Sequence, residues 1–224
     1  MGPRSASKGG PPGGNRITQL YLHDDGILNG TTPSASEGYD SYAYDPTNPV
    51  PTVGGNNMIE PLGDGPYDQT SIEGRSDVWT YTTESLSSSL EVTGTIRASI
   101  WIQTDVSDTD VSVRVTDVYP DGRSMLITEG ILRTRFRSGS FTSETLMTPN
   151  TPYQIDVDLW PTSIVFNAGH RIRIAVTSSN SPRFAPNPNT GAAFQLNDTT
   201  TQVANVRILH EAAHPSAVVF PTYP

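Results

Sequence analysis

The sequence predicts an all-β fold, a two-sheet antiparallel sandwich of the jelly-roll type. Three observations predict it: about eight to ten runs of alternating apolar and polar residues at spacings of roughly 8 to 15 residues, abundant turn formers, and no stretch with four clean turns of helical periodicity. Gly and Pro contribute 19 residues each to the 224, and only 17% of residues are charged. That balance suits short strands joined by many turns.

Residues 1–16 are rich in Gly, Pro and Ser and read as a flexible lead-in; residues 17–224 read as one sandwich domain. "ITQLYLHDDGILNG", from Ile17 to Gly30, gives a strand, an Asp-Asp-Gly turn and a short return strand. From Thr31 to Asn57 the chain reads mostly as loop, because Pro33, Pro46, Pro49 and Pro51 have no N–H for a central ladder; "SYAYDPTNPVPTVGG" is an extended crossing segment. A strand follows around Trp79 and Tyr81. The clearest strand is "LEVTGTIRASIWIQT", which puts Val92, Ile96, Ala98, Ile100 and Ile102 on one face and Thr93, Thr95, Arg97, Ser99 and Gln103 on the other. "VRVTDVYPDGRSMLITEG", from Val113 to Gly130, is a hairpin whose Pro120, Asp121 and Gly122 make the turn. Its turn is expected at the rim of the domain. "ILRTRFR", "YQIDVDLWP", "HRIRIAVTSS", "TQVANVRILH" and "SAVVFP" supply the remaining strands.

Fourteen basic against twenty-three acidic residues leave a net charge of −9. Nucleic acid and anionic membranes are therefore excluded as partners on charge. The absence of Cys removes disulfides, thiolate nucleophiles and Cys-based zinc sites. The start lacks the apolar core of a signal peptide, no run is long enough to span a bilayer, and Gly2 after Met1 reads as plain lead-in rather than an acylation site. The expectation is a soluble chain, with the cytoplasm slightly favoured.

A serine hydrolase of the elbow type needs G-x-S-x-G, where a sharp strand-to-helix turn exposes the hydroxyl. That pentapeptide is absent, and His23, His170, His210 and His214 stand beside no nucleophile marked by its context. No catalytic residue and no cofactor are assigned to this chain. "TDVSDTD" groups Asp105, Asp108 and Asp110 as hard oxygen ligands suited to calcium, without the Gly and distal Glu of a helix-loop-helix calcium loop. Its plainer reading is a solvated strand connection. Alternation through Val111, Val113 and Val115 turns Asp117 inward, where a carboxylate needs donors; Arg123, Arg133 and Arg135 lie nearby in the hairpin. Trp79, Trp101 and Trp160 with nine Tyr suit an aromatic platform for sugar, or core and interface. Trp101 interrupts a polar face, which marks a surface covered by a partner protein before a sugar.

"VTDVYPDGRSMLITEGILRTRFR" followed by "NAGHRIRIAVTSSNSPRFAPNPNTG" closely resembles the C-terminal β-sandwich of the X-prolyl dipeptidyl peptidase, cocaine esterase and α-amino-acid ester hydrolase family of serine hydrolases. "YDPTNPVPTVGG", "GPYDQ", "VTGTI" and "HEAAHPSAVVFP" extend the resemblance from about Tyr39 to Pro221. It implies a galactose-binding-domain-like jelly roll packed on an α/β-hydrolase domain that carries the Ser-Asp-His triad and the oxyanion hole. No triad motif transfers to this chain. The resemblance also implies that the loop Asn56 to Asp68 leans toward the catalytic cleft, with Met58 and Ile59 lining it, and that "GPYDQ" and "EGR" anchor the loop. One departure is the lead-in, which lacks the Trp usual before the first strand.

The reading is thus a non-catalytic C-terminal domain of an ester- or peptide-hydrolysing enzyme, with an α/β-hydrolase domain as partner and a homo-oligomer left open. The rival reading is a stand-alone jelly-roll module that binds carbohydrate or protein.

Overall fold

The computed structural model describes residues 16–58, 63–193 and 199–223. The lead-in expected over 1–16 lies outside the described residues as far as residue 15, and Arg16 already opens the first strand. The elements are β1 (Arg16–His23), β2 (Ile27–Asn29), β3 (Tyr39–Tyr44), α1 (Thr70–Glu73), β4 (Trp79–Thr82), β5 (Leu90–Thr104), β6 (Asp110–Val118), β7 (Ser124–Arg133), β8 (Tyr153–Phe166), β9 (Arg171–Thr177), β10 (Ala204–Leu209) and β11 (Ala217–Tyr223). No helix among the described residues is long and apolar enough to cross a membrane.

Among the described residues ten strands form one hydrogen-bonded path, β3-β10-β5-β11-β1-β2-β4-β9-β6-β7, and an eleventh, β8, pairs with the other edge of β5. The expected sandwich is therefore built from one continuous path. The hairpin β1–β2 turns its corner, and β2 reaches β4 through a single parallel bridge, Ile27 to Thr82. At its far end β7 comes back against β8, where Thr128 Oγ1 donates to the Trp160 carbonyl at 3.0 Å. Gly130 permits that approach, since a Cβ there would overlap the Asp158 carbonyl.

Alternation places the core as the sequence predicts. Ile96, Ile100 and Ile102 of β5, Val111, Val113 and Val115 of β6, Ile172 and Ile174 of β9, and Val206 and Ile208 of β10 join one cluster, each at most 1% exposed. The 113–130 hairpin is part of this frame. Its turn is closed by the Gly122 N–H on the Tyr119 carbonyl at 2.9 Å, and Asp121 is exposed at the rim.

Three segments differ from expectation. β3 forms where loop was expected, because Tyr42 and Tyr44 alternate into the core while the strand pairs in register with β10. β8 does not stop at Pro161. A register shift opposite Ile96 leaves Leu159 and Trp160 unpaired with β5, and a bulge of this kind carries a proline through a strand. "ILRTRFR" is no separate strand: its first three residues finish β7 and Thr134–Phe136 make a 3-10 turn.

Candidate functional site

β6 is buried on both faces. Its inward valines meet the core, and its outward Ser112, Arg114 and Thr116 lie under the crossing segment, α1 and the stretch after β9. Arg114, 1% exposed, lies opposite Glu129 of β7, with Nε 3.4 Å from Glu129 Oε2. The same carboxylate accepts from Asn180 Nδ2 at 2.8 Å and from Arg183 Nη1. Burial pulls the Arg114 guanidinium below its ordinary value, against the pull of Glu129. Beside it, Glu73 of α1 accepts from Arg173 Nη1 at 2.5 Å and from Ser124 Oγ at 2.6 Å.

This polar layer carries a loop. Gly55 and Gly65 exchange both backbone hydrogen bonds, at 2.8 and 2.9 Å, and so close the loop 55–65 at its base. Asn57 Nδ2 ties it internally, donating to the carbonyls of Gly54 at 2.7 Å and Gly63 at 3.1 Å. Gln69 Nε2 bridges the carbonyls of Val53 and Tyr67, each at 2.9 Å. Asp68 Oδ1 accepts from the N–H groups of Ser124 and Thr70 at 3.0 and 3.1 Å. "GPYDQ" thus fastens the loop to β7, and the Glu73 and Arg75 of "EGR" fasten α1, Arg75 through Asp77 at 2.7 Å and the Asn48 carbonyl at 2.8 Å.

Met58, 99% exposed, stands on this loop. Beneath it a cleft of about 520 Å³ is lined by Asn56, Met58, Ile127, Glu129, Trp160 and Ile164. Trp160, 58% exposed on the β8 bulge, also lines a groove of about 1090 Å³ with Arg97, Phe141, Gln154, Asp156 and Asp158. Ile59 lies outside the described residues.

The other sequence candidates are dispersed. Trp101 is half-buried, its ring edge-on to His214 at 4.8 Å, so part of its cover comes from the chain itself. The tryptophan most open to a partner is Trp160. Asp108 accepts from Thr134 Oγ1 at 3.0 Å, Arg135 Nε at 2.9 Å and Asn187 Nδ2 at 2.8 Å; Asp110 accepts from Arg133 Nε at 2.9 Å. Asp105 holds Asn205 Nδ2 at 2.6 Å. These carboxylates hold protein donors, and no group of three or more His, Asp or Glu side chains among the described residues is arranged for a metal. Asp117 is inward as expected, but its partner is His170, with Nδ1 at 2.9 Å, and none of the three nearby arginines. Arg123, Arg133 and Arg135 are taken by Asp121, Asp110 and Asp108.

Sequence reasoning missed Glu129, Arg114 and Arg183. Counting back from the Pro-Asp-Gly turn pairs Arg114 with Thr128; the register shift between Val115 and Thr116 moves it to Glu129. The Gly54-Gly55 doublet was the available signal, with φ of +62° and +94°.

The result is an all-β sandwich whose four histidines are paired with carboxylates and whose loop at Met58 is locked at its base. The chain belongs to the family of X-Pro dipeptidyl-peptidase C-terminal non-catalytic domains, whose model matches residues 2–219. It is 38% identical over 215 residues to cocaine esterase from Rhodococcus sp. (strain MB1 Bresler), covering 91% of this chain and 37% of that protein. A putative serine esterase from Mycobacterium bovis is 31% identical over 202 residues, covering 81% of this chain and 31% of the relative. Among solved structures, an aminopeptidase from a marine sediment Thaumarchaeota archaeon matches with a TM-score of 0.86 at 27% identity, over 93% of this chain and 37% of that one. An α-amino acid ester hydrolase matches with a TM-score of 0.84 at 29% identity, over 92% and 36%. The chain spans about a third of the length of the curated relatives it matches. It corresponds to the non-catalytic C-terminal part of those longer relatives.

Proposed function

We propose that this domain packs on an α/β-hydrolase domain through the face bearing Met58, Ile127, Trp160 and Ile164, and that its closed loop walls the acyl or leaving-group side of that domain's cleft. In the intact enzyme a Ser attacks an ester or amide carbonyl, a His carries the proton, and backbone N–H groups hold the oxyanion, all on the partner domain. The observation that carries this reading is Met58. A 99% exposed Met on a loop fastened at both ends is apolar area held out for something else to cover. Ile59, its neighbour in sequence, belongs to the same proposed lining.

The test is hydrolysis of a p-nitrophenyl ester series by the enzyme that carries the hydrolase domain, alongside a fluorophosphonate probe on the 224-residue chain alone. Met58→Ala is expected to change kcat/KM between short and bulky acyl groups, with no labelling of the chain alone. Stoichiometric labelling of one Ser in this chain overturns the reading. The groove under Phe141 and Trp160 favours a second reading, a module for carbohydrate or protein. Quenching of Trp160 fluorescence by an oligosaccharide is its signature.

A further inference from the structure

We infer that Glu129 is a positioning residue for the cleft loop: its ion pairs, and not the loop's own contacts alone, set where Met58 stands. The loop's internal hydrogen bonds fix its shape. They do not fix its height above β7, because Gly55 and Gly65 bond to each other. On the Gly65 side the Tyr67 carbonyl takes the Leu126 N–H of β7 at 3.1 Å; on the Gly55 side placement comes from below. Gly55 rests against Glu129 so closely that a Cβ would overlap Oε1, and its φ of +94° already asks for glycine.

Glu129 in turn is held from the side. Asn180 donates to Glu129 at 2.8 Å and accepts the Thr52 hydroxyl at 2.8 Å through its other amide atom, so one side chain joins the loop's approach to the carboxylate. Arg183 ties Glu129 through Nη1 and donates its backbone N–H to Thr52 Oγ1 at 3.2 Å. The Thr52 N–H completes the frame on the Ser181 carbonyl at 2.7 Å. Residues 52–55, 180–183 and the β6–β7 ladder therefore meet on one carboxylate, 4% exposed and at the cleft wall. A carboxylate so placed passes any shift of its arginines to the loop.

What that placement does for substrate choice rests on the proposed function; the clamp itself is tested without it. The measurement is amide hydrogen exchange of the 224-residue chain, comparing Gly55 and Gly65 with β5 amides in the parent, in Glu129→Gln and in Arg183→Gln. In Glu129→Gln the two glycine amides are expected to speed up by at least about tenfold more than the β5 amides do. Arg183→Gln is expected to act in the same direction by a smaller factor, and it carries the test alone if Glu129→Gln fails to fold. Glycine amides that follow β5 by the same factor in the folded variants overturn the inference. In the enzyme that carries the hydrolase domain, Glu129→Gln is expected to move acyl selectivity in the same direction as Met58→Ala. Faster glycine exchange with unchanged acyl selectivity supports the clamp and overturns only the loop's role at the cleft.

Discussion

Along β6, Val111, Val113 and Val115 turn one way and Ser112, Arg114 and Thr116 the other, and all six are at most 1% exposed. The first face is dry because apolar area leaves water against β5, β8 and β9, a non-directional gain of about 25 cal/mol per Å². The second is dry because a loop-rich segment lies over it, and every group there needs a partner of the right geometry. Equal burial thus hides unequal demands. The core face tolerates apolar side chains of fitting shape, whereas the outer face constrains charge, and it is the outer face that supports the projecting loop.

The contrast can be broken most sharply at the ion network. Glu129→Leu leaves the buried Arg114 and the half-buried Arg183 without their shared carboxylate and is expected to cost about 3–5 kcal/mol in a urea melt. Arg114→Met should instead be neutral or stabilising, because Glu129 keeps Arg183 and Asn180. Equal losses from the two substitutions would show the pair acting as a unit.

On the core face, Ile174→Ala is expected to cost about 2–5 kcal/mol through the cavity it leaves, without any selective loosening of Gly55 exchange. Loosening there would erase the distinction between the two faces.

The smallest effect is in acid. Burial pushes the Asp68 carboxyl up, but the N–H groups of Ser124 and Thr70 outweigh it and hold the group below its ordinary 3.8. Its contribution is therefore complete above that value and is lost as pH falls through the folded-state value. Protection of the Ser124 amide should weaken in that window and not above it, and Asp68→Asn should remove the pH dependence. Loss beginning near neutrality would assign the anchoring to another group.

How much of this was legible in the sequence follows the same division. Period-two alternation located β5, β6 and β9, because an apolar face is written in every second residue. β3 was hidden by the prolines on either side of it and by tyrosines that carry a polar tip on a buried ring. Arg114 reads as a wet-face residue until the crossing segment is laid over it, and no local pattern announces that cover. Trp101 and Trp160 show the limit from the other side. Both interrupt polar faces in sequence and both keep the outward side, but His214 packs on Trp101 while Trp160 stays exposed, and a cover that comes from far along the chain is not written locally. The loop tip at Met58 came from family resemblance; the carboxylate that supports it came only from the fold.

One feature of the sheet has a mechanical side. β1 and β11 run antiparallel with Arg16 beside Thr222, and the ladder continues to Tyr21 beside Ala217. Tension applied at Arg16 and Thr222 pulls these strands apart across their hydrogen bonds, so the rungs break one after another, like a zipper, instead of sharing the load in shear. β11 stays seated on β5 while β1 peels. Under force the domain would yield first at that seam, far earlier than a sheet whose loaded strands slide lengthwise.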